Sequence, residues 1–178
     1  MTYNQKHNTQ TKDMISDALF RLMDKKDYSR ITIKELTEYA RVARRTFYKH
    51  FTNKDDVINY KISMIDKAFT KRLIETAPVN AEAYGVMFFS FFKSYFTEIR
   101  ALHRNNLFYT KVYYMYSDFM TEHPEIVEVY KINNSEYNIA YRFGGTFFML
   151  TEWIDNGATV PVEEMAKYLA SEIPGETS

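Results

Sequence analysis

The sequence predicts an all-α protein, with a tri-helical helix-turn-helix unit at the N-terminus and a larger helical bundle after it. Three observations carry that expectation. Glycine and proline are scarce, 5 and 4 in 178 residues. No segment alternates apolar and polar residues for long, as a half-buried strand would. Apolar residues instead recur every three to four positions, in stretches bounded by helix start and stop signals. With 46% hydrophobic residues the chain is long and apolar enough to bury a core.

Each element has its own signal. Met14/Ile15, Ala18/Leu19 and Leu22/Met23 form one stripe on a first helix from about Thr11 to Lys25. Lys25 and Lys26 place cations where the last carbonyls are unpaired. Thr32-Ile-Lys-Glu35 has the spacing of a capping box, in which Glu35 reaches back to the cap, and opens a second helix to about Tyr39 that buries Ile33 and Leu36. Arg44 to Phe51 reads as a third helix, with Phe47 and Phe51 one turn apart on its inner face. Asn53 with Asp55 and Asp56 starts a long fourth helix from Lys54 to Thr76, which Ala77-Pro78 ends.

Beyond Asn80 the composition shifts to Phe, Tyr and Met. One helix is expected from about Ala81 to His103, so apolar that most of its circumference must be buried. Others are expected from about Asn106 to Glu122, in a short piece after Pro124, and from Ser135 to Asn156, where Gly157 is placed as a left-handed terminator. Pro161 opens a last helix with a stripe of Val162, Met165/Ala166, Leu169 and Ile173.

Charge narrows the function. The total is +0, yet residues 1–60 hold 12 Lys and Arg against 8 Asp and Glu, and the remainder holds 11 against 15. A basic N-terminal third fits a module that binds a polyanion, although scatter among surface charges gives the same count. The outer side of the third helix carries Arg44, Arg45, Thr46, Tyr48, Lys49 and His50. Cations and hydroxyls there suit phosphate oxygens, and an arginine can grip a guanine edge with two hydrogen bonds. The bland alternative is a solvated basic helix in a small bundle.

Other chemistry finds no constellation. There is no cysteine, so disulfides and thiolate metal sites are excluded, which suits a reducing cytosol. His7, His50, His103 and His123 are scattered without metal-ligand spacing, and no Gly-rich phosphate loop or nucleophile elbow is present. No enzyme, metal or cofactor is expected. The longest apolar runs, such as Val86–Phe89 and Phe147–Leu150, are four residues. A spanning helix needs roughly 20. With no basic start leading into an apolar core, the expectation is a cytoplasmic protein without a membrane partner, on the nucleoid when DNA-bound.

Thr32-Ile-Lys-Glu-Leu36, Ala40-x-Val42, Arg44-x-Thr46-Phe47-Tyr48-x-His50-Phe51 and Asn53-Lys54-Asp55 resemble the DNA-binding domain of the TetR family of bacterial regulators. The resemblance covers about Thr11 to Ile58. It implies a DNA-binding domain over residues 1–58 and a dimerisation and ligand- or partner-binding domain over residues 59–178. By it, Thr32, Tyr48, His50 and Lys54 contact phosphates, Lys54 from a helix N-terminus, and Arg44, Arg45, Thr46 and Lys49 lie nearest base edges. The chain departs from the family at three positions: Arg41 stands where glycine is usual, Ala43 where serine often caps, and Arg45 where a small residue is common. A positive φ at Arg41 costs about 1 kcal/mol, and a lost cap about 1 kcal/mol more. A reading head of modest intrinsic stability follows, with an unusual operator.

Arg142-Phe-Gly-Gly-Thr-Phe-Phe-Met-Leu-Thr-Glu-Trp153 with Pro161-x-Glu-Glu-Met165 resembles a C-terminal subfamily typified by regulators of dihydroxyacetone-kinase operons. That implies a homodimer joined by C-terminal helices. Ala140, Gly144 and Gly145, with Phe148, Met165 and Leu169, are the candidate interface, since small residues let helices approach closely. Packing within one subunit explains the same residues. Phe88, Phe92, Tyr95, Tyr109, Tyr113, Tyr116 and Phe147 either line a pocket for a small apolar or aromatic effector or simply fill the core. The expected function is a homodimeric repressor on a double-stranded, pseudo-palindromic DNA operator, released by the effector as the fourth helix swings. The alternative is an activator or co-regulator whose second domain docks a protein.

Overall fold

The computed structural model describes residues 3–113 and 136–171. Among them there are helices and turns and no strand. The helices are α1 (Tyr3–Met23), α2 (Ile33–Tyr39), α3 (Arg44–His50), α4 (Lys54–Thr76), α5 (Ala81–Lys93) and α6 (Phe96–Arg104). They continue with α7 (residues 108–113, where description stops), α8 (Glu136–Asp155) and α9 (Val162–Ser171). The rest of the expected 106–122 helix and the piece after Pro124 lie outside the described residues.

The start and stop signals explain most boundaries. Asn53 caps α4 by accepting from the Asp56 amide at 2.9 Å, and Asn80 caps α5 through the Ala83 amide at 2.8 Å. Ala77 turns left-handed at φ 42°, ending α4 before Pro78. Gly157 takes φ 79° after α8, as a left-handed terminator should.

Two boundaries differ from expectation. α1 begins at Tyr3, about two turns before the expected start at Thr11. Its buried side carries Thr11, Ile15, Ala18, Leu19, Phe20, Leu22 and Met23, while Met14 stays exposed. The single helix expected from Ala81 to His103 is two. At the break the Ser94 hydroxyl donates to the Phe91 carbonyl at 2.6 Å, and the Ser94 and Tyr95 amides reach carbonyls three residues back. These tighter bonds close α5 and start α6 in a new direction.

The core is aromatic. Phe88 meets Phe92 at 4.8 Å and Phe147 at 5.6 Å between ring centroids, and Phe89 sets its edge against Trp153 at 5.4 Å. α9 lies along α5 so closely that a Cβ on Gly85 would sit 2.8 Å from the Ala166 Cα.

The N-terminal helices are fastened to the body by α6. Arg100 donates two hydrogen bonds to Asp24, at 2.7 and 2.6 Å. The Asn105 amide group donates to the Met23 and Ala101 carbonyls, and its oxygen accepts from the Tyr28 amide at 2.6 Å. Lys61 on α4 joins Asp17 on α1 at 2.7 Å to Glu98 on α6 at 3.1 Å.

Candidate nucleic-acid interface

α2 and α3 form the helix pair, braced from behind by α1. Thr32 caps α2 by accepting from the Glu35 amide at 3.1 Å. The capping box is only half made. Glu35 turns to Lys26, which donates at 2.7 and 2.5 Å and holds the carboxyl below its ordinary range. The turn between the helices puts Arg41 at φ 55°, the left-handed conformation that glycine takes without cost. Ala43 occupies the cap position of α3 and supplies no side-chain bond, so the Thr46 amide has only the Ala43 carbonyl, at 2.8 Å. Both local costs expected from the departures at Arg41 and Ala43 are therefore present.

Phe47 is 0% exposed and anchors α3 to the core, with its ring edge-on to Tyr48 at 5.3 Å and tilted against Phe51 at 5.9 Å. The opposite face is open. Arg44, Arg45 and Lys49 are exposed, Tyr48 is 53% exposed, and Thr46 and His50 are half-buried. Among the described residues no carboxylate pairs with Arg44, Arg45 or Lys49, so the short helix presents three uncompensated cations. His50 is held below the usual imidazole range, first by burial and then by Lys49, Lys12 and His7.

Lys54 is placed differently from the expected phosphate contact. Its ammonium donates to the carbonyls of Tyr28 at 2.8 Å and Ile31 at 2.5 Å, and lies 4.3 Å from the Tyr28 ring centroid. It fastens the short turn at Tyr28–Arg30, and burial lowers its pKa. Arg41, singled out by the sequence as a departure from glycine, has its side chain exposed in the turn before α3.

In the second half, Phe88, Phe92 and Phe147 are packed against one another in the core. The half-buried Tyr95 leans on Phe91, the Tyr113 ring meets Phe143, and the Tyr109 hydroxyl shares a 2.9 Å hydrogen bond with Thr151. Tyr116 lies outside the described residues. Of the candidate interface residues, Ala140, Gly145 and Phe148 are exposed on α8. A Cβ on Gly144 or Gly145 would find nothing within 4 Å. Met165 and Leu169, at 6% and 5% exposed, are instead taken up by the chain's own core, because α9 turns that stripe toward α5.

The model of the family described as bacterial regulatory proteins, tetR family, matches residues 15–60, which span α1 to the start of α4. Residues 15–60 are thus similar to the DNA-binding domain of the TetR family. The chain is 24% identical over 116 residues to the HTH-type dhaKLM operon transcriptional activator DhaS of Lactococcus lactis subsp. lactis (strain IL1403), a stretch covering 65% of this chain and 56% of DhaS. It is 32% identical over 69 residues to the HTH-type transcriptional regulator TcmR of Streptomyces glaucescens, covering 39% of this chain and 30% of TcmR. The chain thus spans little more than half of one relative and under a third of the other. A tetR-family transcriptional regulator from Streptomyces coelicolor superposes with a TM-score of 0.62 at 15% identity, over 89% of this chain and 78% of its own. The fatty acid degradation regulator FadR from Bacillus halodurans gives 0.62 at 17%, over 90% and 93%. These two establish that the all-α TetR-like fold extends past the reading head. No helix among the described residues is long and apolar enough to cross a membrane.

Proposed function

We propose that this DNA-binding regulator works as a homodimer on a pseudo-palindromic operator, with residues 1–58 reading DNA and residues 59–178 pairing the subunits. The observation that carries the reading is the outer face of α3: three unpaired cations and an exposed tyrosine hydroxyl on a helix fixed from beneath by Phe47. Arg44, Arg45, Thr46 and Lys49 face the base edges in this reading, and Thr32, Tyr48 and His50 the phosphates. Lys54 supports them by holding the turn at Tyr28. Two-fold symmetry in the protein then sets half-sites a whole number of helical turns apart.

The exposed stripe of α8, comprising Tyr137, Ala140, Tyr141, Gly144/Gly145 and Phe148, is the face we assign to the second subunit. Its glycine pair costs about 1 kcal/mol per residue in helix propensity, and among the described residues nothing lies within 4 Å of a Cβ built there to offset that cost. An apolar or aromatic effector fits best beside the half-buried Tyr95, Tyr109 and Tyr113, since Phe88, Phe92 and Phe147 already contact one another. A dimer seated over a promoter represses. The likeness to DhaS, named as an activator, favours a second reading in which the bound dimer recruits a protein partner through residues 59–178.

Selection of bound duplexes from a random pool tests the reading, run with the wild type, Arg44→Ala and Tyr48→Phe. The wild type should yield an inverted repeat. Arg44→Ala should relax one position in each half-site, and Tyr48→Phe should weaken binding evenly across sequences. A pool that stays random with the wild type refutes the operator.

A further inference from the structure

The N-terminal half of α1 passes the end of α3, where Lys12 lies near Phe51. The buried side of α1 runs through Ile15 and Thr11, and His7 lies one turn earlier on the same side, its carbonyl accepting from the Thr11 hydroxyl at 3.0 Å. Lys12 sets its ammonium 5.3 Å from the Tyr60 ring centroid and 5.9 Å from that of Phe51, the residue that closes α3. Next to Phe51 stands His50. The charged groups facing it are Lys49 from its own helix and Lys12 and His7 from α1.

The nearby carboxylates are engaged elsewhere. Asp13 accepts from the Tyr60 hydroxyl at 2.8 Å, Asp17 from Lys61 at 2.7 Å, and Asp56 from the Thr52 amide at 2.8 Å. Among the described residues none of His7, Lys12, Lys49 and His50 has an acidic partner. Two helices thus bring four basic side chains together with no counter-charge, at the edge of the face that reads DNA.

We propose that His7, Lys12, Lys49 and His50 together seat one backbone phosphate of the duplex, and that filling this seat protonates His50. The proposal rests on the DNA-binding reading, moves Lys49 from the base edges to the backbone, and adds α1 and a proton to it. The sign follows from the surroundings. In the free protein burial and three basic neighbours, Lys49, Lys12 and His7, disfavour imidazolium. A phosphate brings the negative charge that the cluster lacks and favours imidazolium. Between the two titration points the complex holds one proton more than the free partners, and affinity rises as pH falls.

The test is fluorescence anisotropy of a labelled random-sequence duplex, at constant ionic strength, between about pH 6 and pH 8 where an imidazole titrates. Wild-type affinity should rise by about 3–10-fold from the upper to the lower pH. His50→Gln should flatten that dependence while still binding. Lys12→Gln should bind more weakly, with its salt slope reduced by roughly 0.9, the loss of one phosphate contact. A wild-type affinity indifferent to pH, a His50→Gln variant that keeps the dependence, or an unchanged salt slope for Lys12→Gln overturns the proposal. Failure of the wild type to bind duplex at low salt sinks the DNA reading itself. Weakening by Arg44→Ala but not by Lys12→Gln sinks the seat alone. In NMR the His50 ring signals should titrate with duplex and stay still with inorganic phosphate at equal phosphate concentration. An equal response to inorganic phosphate would mark a small-anion site and refute the assignment to DNA.

Discussion

Replacing Gly85 by alanine puts a methyl carbon 2.8 Å from the Ala166 Cα and 2.9 Å from its Cβ. Carbon atoms rest comfortably at about 3.5–4.0 Å, so α5 and α9 must part by roughly 0.7 Å at the least. The nearer atom is backbone and cannot rotate aside. Overpacking of this kind costs about 1–3 kcal/mol, and alanine returns about 1 kcal/mol through helix propensity. Because the shift also loosens Met165 and Leu169 against α5, the expected balance is a loss of about 1–2 kcal/mol. Urea denaturation at fixed protein concentration measures it, as a lower midpoint with the slope unchanged. Ala166→Gly should not rescue the variant, since it removes the Cβ but leaves the Cα in place. A Gly85→Ala protein as stable as the wild type, or full rescue by Ala166→Gly, would refute a backbone contact between these helices.

Gly144→Ala and Gly145→Ala meet no atom among the described residues, so each should stabilise the isolated subunit by about 1 kcal/mol. If the α8 face pairs two subunits, the same changes should weaken self-association in sedimentation, and unchanged association would remove the glycine pair from the interface. Arg41→Gly should relieve a left-handed φ and Ala43→Ser should supply a missing cap, each raising stability by about 1 kcal/mol. Hydrogen exchange through residues 36–51 should slow in both variants, and unaltered exchange would show that neither local cost is real.

The helix boundaries from Thr32 to Thr76 were legible in the sequence, because their determinants are local. Thr32 and Asn53 cap the helices they precede, Ala77-Pro78 stops α4, and Phe47 and Phe51 identify the inner face of α3 by spacing alone. What escaped was set by partners distant in sequence. The break at Ser94–Tyr95 interrupts an unbroken apolar pattern, and local propensity gives no reason to stop there. The start of α1 was invisible because residues 3–10 carry no apolar stripe, and the helix there extends from a packed segment downstream. Periodicity correctly grouped Met165 with Leu169, yet it cannot say which neighbour a stripe will meet, and that neighbour is α5. Lys54 carries the same lesson in electrostatics: a helix N-terminus suggests a phosphate, while Tyr28 and Ile31, more than twenty residues earlier, take the ammonium.

The Asp24–Arg100 fork and the carboxamide of Asn105 have a mechanical consequence. Five hydrogen bonds from two side chains of one short segment grip α1, the chain just past it and α6's own end, and bonds at 2.6–3.1 Å tolerate little sliding. A swing of the N-terminal helices away from α6 would have to shear them. The three N-terminal helices and α6 are therefore tied together, and a swing of the reading head is expected to bend the chain at the Ser94–Tyr95 corner or beyond α6 rather than between the head and α6.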